Sequence, residues 1–186
     1  MQFLDLQRQY ASYREEIDTR MRRVLEHTRF VMGPEIEELE QVLAARVSVA
    51  HAITTASGTS GLELSLRALE IGPGDEVITV PYTWVSTAEC IKQVGAKPIF
   101  VDIRKDFCIN VDEIKEKINK KTKAIIGVDL YGNVCDIDSL KKFNIPVIED
   151  AAQSTGALYK GKRVGGIADL TCFSFYPTKN LSLIHI

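Results

Sequence analysis

Long apolar runs, paired cysteines and a marked excess of either charge are all missing from this 186-residue sequence. No segment approaches the roughly 18 apolar residues that a membrane helix needs, so no spanning helix is expected. The opening MQFLDLQRQY has neither the basic n-region nor the apolar h-region of a secretory signal, which points to a cytoplasmic protein. Cys90, Cys108, Cys135 and Cys172 are widely scattered, with no CxxC and no paired histidine. They are expected to be reduced, mostly buried thiols, not a disulfide or zinc framework. His27, His51 and His185 show no metal-ligand spacing, so no metal is expected. A formal net charge of -2 leaves no electrostatic footprint for nucleic acid. Arg20, Arg22 and Arg23 are interspersed with Glu15, Glu16 and Glu26, the pattern of a solvated helix face. Internal repeats and low-complexity segments are absent as well.

What is present is an ordinary globular composition, 45% hydrophobic and 26% charged. That suffices for one sizeable core and not for two full domains. A polar helix is expected over about Gln7–His27, and Gly33-Pro34 opens a second, IEELEQVLAARV, with proline in its first turn. From there short apolar runs (AITTA, EVITV, KPIFVDI, KAIIGVDL, IPVIED) alternate with helical patterns (GLELSLRALE, STAECIKQV, VDEIKEKI, IDSLKKF). Asn110 with Glu113 reads as a variant capping box for VDEIKEKI. Near-continuous apolar strands alternating with helices specify an α/β domain with a mostly parallel sheet, flanked by helices on both faces. Ligands of such sheets bind beyond the carboxyl ends of the strands, so the residues following each run are the candidates.

After AITTA comes Ser57-Gly58-Thr59-Ser60-Gly61 and a helix. Small residues at a helix start suit an anion, and equally suit a simple N-cap turn. A P-loop is excluded, since no Gly-Lys-Ser/Thr follows. After EVITV comes Pro81-Tyr82-Thr83-Trp84, whose lone tryptophan is either core or a platform for a planar ligand. After IPVI come Glu149 and Asp150, two carboxylates ending a buried strand, costly there unless partnered. Asp150 either caps a turn or faces a cationic ring nitrogen, and the small Ala151 and Ala152 leave room for something packed close. Asp102 and Asp129 also end strands and either line the site or cap turns; Glu149 reads as a partner for backbone amides. A last strand, Thr171–Tyr176, leads to Pro177-Thr178-Lys179-Asn180. Most lysines are solvated, but this one follows a strand among aromatics, where partial desolvation favours a nucleophilic amine suited to imine chemistry. A phosphate, a planar ring, a pyridinium and a carbonyl would satisfy these four places together. One ligand has all four: pyridoxal 5'-phosphate, held as a Schiff base.

These motifs, from FLDLQRQY and FVMGPEIEELE through SGTSGLELSLRAL, IGPGDEVITVPYTWVSTAE, GAKPIFVDI and VDLYGN to VIEDAAQSTGALYKGKRVG and FSFYPTKNL, resemble the DegT/DnrJ/StrS group of sugar-nucleotide aminotransferases. The resemblance implies the large domain of a fold type I pyridoxal-phosphate enzyme. It implies Lys179 as the cofactor-linking lysine that later moves the proton between carbons, and Asp150 as the aspartate on the pyridine nitrogen. Gln153 would stand beside the ring's phenolic oxygen and Trp84 would stack on the ring. Gly58 and Thr59 would give backbone amides to the phosphate, and Ser174 a hydroxyl. Implied partners are an amino-acid donor, usually glutamate, a nucleotide-linked keto sugar, and a second subunit in a homodimer. Relatives with histidine in place of the lysine dehydrate instead, and Lys179 argues against that branch.

Two alternatives are another fold type I activity (a lyase or amino-acid aminotransferase) and a non-catalytic regulatory domain. EDAAQS and FSFYPTKN favour the first reading over the former, and joint retention of Lys179, Asp150, Gln153 and Trp84 counts against the latter. The family continues past this lysine with more of the large domain and a small C-terminal domain. Residues 1–181 are therefore expected to be the N-terminal part of the large domain, inactive as a fragment. LSLIHI (Leu181–Ile186) also matches the translation of a transposase adapter end, so residues 182–186 are expected to be a non-native tail.

Overall fold

The computed structural model describes residues 5–176 and 178–179. The expected tail at 182–186 lies outside the described residues. Helix α1 (Leu6–His27) begins where the Asp5 carboxylate accepts from the Arg8 N–H at 2.9 Å. Ion pairs connect it to α2 (Pro34–Val47), among them Arg23 to Glu35 at 3.3 Å and His27 to Glu35 at 3.0 Å. Both are surface interactions of small individual worth.

The α/β alternation follows: α3 (Gly58–Ala68), β1 (Glu76–Thr79), α4 (Ser86–Gln93), β2 (Lys97–Phe100), α5 (Val111–Lys117), β3 (Thr122–Val128), α6 (Ile137–Lys141) and β4 (Val147–Asp150). A short hairpin, β5 (Leu158–Tyr159) and β6 (Lys162–Arg163), precedes β7 (Leu170–Cys172). Five strands form one wholly parallel sheet in the order β2-β1-β3-β4-β7. Period-2 alternation with apolar residues at both phases explains why the sheet is covered on each side. Val77, Ala124, Ile126 and Ile148 pack with Leu62 and Leu66 of α3 and Cys90 and Ile91 of α4. Ile78, Ile125 and Val147 pack on the other face with Ile114 of α5 and Ile137 and Leu140 of α6. The chain leaves β1 for α4 on one face and β3 for α6 on the other. A crevice therefore opens between those two neighbours at the carboxyl edge.

All four cysteines are free and buried, as the spacing predicts. Asn110 caps α5, accepting from the Asp112 N–H at 3.2 Å. Glu113 does not bond back to the Asn110 N–H as in a regular capping box. It accepts from the Asn110 side-chain amide at 2.8 Å and from the Asp102 N–H at 3.0 Å, so one carboxylate ties the helix start to the β2 exit. Two expected strands differ. AITTA joins no sheet: Ile53 is 80% exposed, and Thr54 is instead held by Glu40, which accepts from its N–H at 2.7 Å and its hydroxyl at 2.8 Å. The last strand ends at Cys172; Phe173–Tyr176 continue without ladder partners among the described residues.

Leu66 is fully buried beneath α3, whereas Leu64 on the same helix is 52% exposed. Leu66→Ala should cost about 2–5 kcal/mol by transfer and cavity terms. Leu64→Ala should stay within about 0.5 kcal/mol. Urea unfolding with an unchanged slope would report both; equal midpoints for the two variants would contradict this packing.

Candidate active site

Asp150 closes β4 and is buried to 7% exposure at the carboxyl edge. Its Oδ2 accepts from the Thr87 hydroxyl at 2.8 Å and its Oδ1 from the Ala152 N–H at 3.3 Å. Burial pushes its pKa up; the Thr87 hydroxyl, the Ala152 amide and the charge of Lys179 act in the opposite direction. A dehydrated carboxylate with only these partners is electrostatically suited to a further cation. Thr87 is itself buried, in the first turn of α4, and its hydroxyl lies 3.3 Å from that of Thr83. The Thr83–Thr87–Asp150 chain thus connects the β1 exit, where Trp84 stands, to the end of β4. Trp84 is 73% exposed, so its ring is not core. Thr87 escaped the reading of the sequence: a threonine in the first turn of a helix carries no signal beyond ordinary capping.

Ser57 caps α3 as either reading of that segment required, its Oγ accepting from the Ser60 N–H at 3.1 Å. Gly58 and Thr59 follow in the first turn, where helix N–H groups have no acceptor within their own helix. A Cβ on Gly58 would meet the Ser174 Cβ at 3.2 Å and the Phe173 carbonyl at 3.5 Å. The glycine therefore allows the β7 exit to lie directly against the start of α3. The Ser174 Oγ lies within 3.4 Å of the Tyr176 N–H, which donates to it. Lys179 is half-buried, its N–H donates to the Tyr176 carbonyl at 2.8 Å, and its charge acts on Asp150. Gln153, half-buried three residues beyond Asp150, accepts through Oε1 from the Tyr131 N–H at 2.7 Å. All these residues lie on segments leaving the carboxyl edge or on the start of α3.

A second buried acidic group underlies this edge. Asp129, directly after β3, accepts from the Cys135 N–H at 3.0 Å and the Ser154 hydroxyl at 2.7 Å. Glu149 accepts from the Thr171 hydroxyl at 2.9 Å through Oε2, while its Oε1 has no hydrogen-bond partner. Both side chains are fully buried. Desolvation, followed by repulsion from Glu149, pushes Asp129 up to about 7. Burial also raises Glu149, against the Thr171 hydroxyl that donates to it. Burial thus holds both carboxyls above their ordinary values, and repulsion from Glu149 adds to the rise at Asp129. Glu149 is held by a side-chain hydroxyl, where backbone amides were expected. Asp102 is exposed and turns back on its own chain, with the Ile103 N–H donating to its Oδ1 at 2.7 Å, so it serves a turn and not the site. No group of metal-ligating side chains occurs among the described residues.

A doubly covered parallel sheet with a buried aspartate, a half-buried lysine and a glycine-tight helix start at its carboxyl edge is the architecture of a ligand-binding α/β domain. The chain belongs to the DegT/DnrJ/EryC1/StrS aminotransferase family, which it matches over residues 11–184. It is 45% identical to the UDP-2-acetamido-2-deoxy-3-oxo-D-glucuronate aminotransferase of Pseudomonas aeruginosa, over 97% of this chain and 52% of that protein. It superposes on Streptomyces venezuelae DesV, solved in complex with a ketimine intermediate, with a TM-score of 0.92 and 38% identity, covering 97% of this chain and 50% of that one. Bacillus subtilis NtdA with bound cofactor PMP gives 0.86 and 36%, covering 92% and 40%. The sheet and its helices are those of the fold type I aminotransferases. The chain spans about half the length of the curated relatives it matches.

The acid pair has a consequence for pH. A carboxyl raised from its ordinary value near about 4 in the unfolded chain contributes stability that is complete below that value and lost as pH rises through the folded value. For Asp129 that loss extends up to about 7. The melting temperature should therefore fall between about pH 4 and about pH 7, and Asp129→Asn, which removes the titrating carboxyl, should flatten the slope. A slope unchanged in Asp129→Asn would exclude a raised Asp129 carboxyl as its source.

Proposed function

We propose that the protein containing these residues is a pyridoxal-phosphate-dependent aminotransferase. It transfers an amino group from an amino-acid donor, glutamate, to the keto carbon of a nucleotide-linked sugar. The observation that carries this reading is the combination of Asp150 and Lys179 at one strand edge: a buried carboxylate and, close enough to act on it, the charge of a half-buried amine. The substrate class is supported by the name of the Pseudomonas aeruginosa relative, whose sugar is UDP-linked and carries a 3-oxo group. The cofactor is supported by family membership and by the PMP bound in NtdA.

The residues fit that cofactor. Asp150, dehydrated and hydrogen-bonded by Thr87, suits a cationic ring nitrogen. The exposed Trp84 ring offers a flat face. The Gly58 and Thr59 N–H groups, with the Ser174 hydroxyl packed against them, suit a phosphate at the positive end of α3. Bound there, pyridoxal phosphate would supply an aldehyde carbon for the amine and an electron sink. Asp150 would hold a proton on the ring nitrogen of the bound cofactor, which its negative charge favours. Lys179 Nζ provides the linking amine and then moves the proton between donor and acceptor carbons. Gln153 orients the ring through its phenolic oxygen. The reading includes a cytoplasmic homodimer in which residues 1–181 form the N-terminal part of the large domain. The rest of that domain and a small C-terminal domain complete the enzyme. The relatives are about twice as long, so the 186-residue chain alone is expected to show no turnover. A purely regulatory role would have no use for Lys179, Asp150, Gln153 and Trp84 together.

In the full-length protein, borohydride reduction should fix the cofactor to the peptide containing Lys179, as mass spectrometry would read. Lys179→Ala should lose transamination while still binding the cofactor non-covalently. Substantial turnover in that variant would sink the assignment. Asp150→Ala should lower kcat by about 10²–10⁴-fold, the range typical for loss of a proton-directing group. Its effect on cofactor affinity should be much smaller, and a kinetically silent Asp150→Ala would remove the basis of the reading.

A further inference from the structure

Beyond β3 the backbone makes a turn that no packing need explains. Tyr131, in the single 3-10 turn Leu130–Gly132, has φ 59 and ψ 17, and Gly132 follows at φ +87. Left-handed backbone is uncommon for a bulky aromatic residue, because its Cβ crowds the following carbonyl. Burial of the ring is not the cause. The side chain is 64% exposed, with its hydroxyl 3.3 Å from that of Tyr82 and its ring edge-on to Phe107 at 5.4 Å. What the conformation does achieve is the direction of the Tyr131 N–H, which meets Gln153 Oε1 at 2.7 Å. A backbone N–H can only donate, so the atom facing it is the amide oxygen and the amide flip is settled. The oxygen limb of Gln153 is thereby occupied. Its Nε2–H groups, which have no acceptor among the described residues, are the limb left for a ligand.

We propose that the left-handed turn at Tyr131 is a positioning device that holds Gln153 by its oxygen, so that Gln153 meets a ligand only as a hydrogen-bond donor to an anionic oxygen. Resting on the function proposed above, that oxygen is the ring phenolate of pyridoxal phosphate. Tyr131 acts through its backbone and Gln153 through Nε2, so the phenol side chain of Tyr131 is dispensable to the device.

The test uses the full-length protein and two readouts. The first, amide hydrogen exchange at Tyr131 in the cofactor-free protein, should be slow in the wild type and at least about ten-fold faster in Gln153→Leu. In Gln153→Glu it should stay slow, since an acceptor oxygen is retained. The second is the pH at which the visible band of the pyridoxal-phosphate-loaded protein interconverts. Loss of a donor makes the anionic oxygen less stable, so the chromophore keeps its proton to higher pH. Gln153→Glu and Gln153→Leu should raise the transition by about one pH unit, a ten-fold change in proton affinity. Tyr131→Val, which keeps the N–H but resists the left-handed region, should shift it in the same direction. Tyr131→Gly, which keeps both the N–H and the conformation, should restore the wild-type transition. Unchanged exchange in Gln153→Leu, or an unshifted band in Gln153→Glu, overturns the inference while leaving the aminotransferase reading standing. A wild type with no visible band overturns that reading and, with it, the ligand named here.

Discussion

Burial of the Asp150 carboxylate is the constraint on which the site depends. Ending β4 inside a sheet covered on both faces, the group has lost most of its water, and one hydroxyl and one amide replace it. That hydration is not recovered by two neutral donors, so burial raises its pKa, and cations are what the position favours. The rest of the edge follows from it. Lys179 comes from the β7 exit, and β7 pairs with β4 in a register that puts Cys172 opposite Asp150. Thr87 comes from α4, which packs on the face of the sheet opposite α5 and α6. Neither group would reach the aspartate if the strand order or the register differed by one step.

The sheet carries a second acidic load directly behind the first. Glu149 and Asp129 lie on adjacent strand ends and together with Ser154 and Thr171 form a buried polar network in which one oxygen has no partner. Such a network ties the exits of β3, β4 and β7 together, and those three exits carry Tyr131, Asp150 and Ser174. Holding a proton on Asp129 relieves the repulsion between two buried charges, which is why its carboxyl is pushed up. The same arrangement makes the stability of the edge sensitive to pH up to about 7.

On the function proposed above, ligand recognition is divided among the chain's residues by chemistry. Main-chain N–H groups of Gly58 and Thr59 stand at the positive end of a helix, a tryptophan ring lies open to solvent, and a carboxylate and an amine lie within electrostatic reach of each other. Backbone conformation does part of the positioning. Gly58 lets two segments approach to contact, and the left-handed Tyr131 aims an amide at Gln153. Neither effect depends on the identity of a functional side chain, which is why both are invisible to a search for reactive residues.

Sequence alone determined the α/β class, the all-thiol cysteines, the helix start at Ser57, the β1 exit carrying Trp84 and the strand end at Asp150. Each of these follows from a local period, a cap or a breaker, and local signals are read without knowing what lies across the sheet. AITTA and the Phe173–Tyr176 segment were misread as strands because strand propensity is local whereas a ladder needs a partner, and none adjoins them among the described residues. Only the tertiary structure decided that Thr87 holds Asp150, that Glu149 raises Asp129, and that Tyr131 grips Gln153. These contacts join residues 20 or more positions apart. Pairings at that separation are set by strand order and register, and nothing in the composition of either partner announces the other.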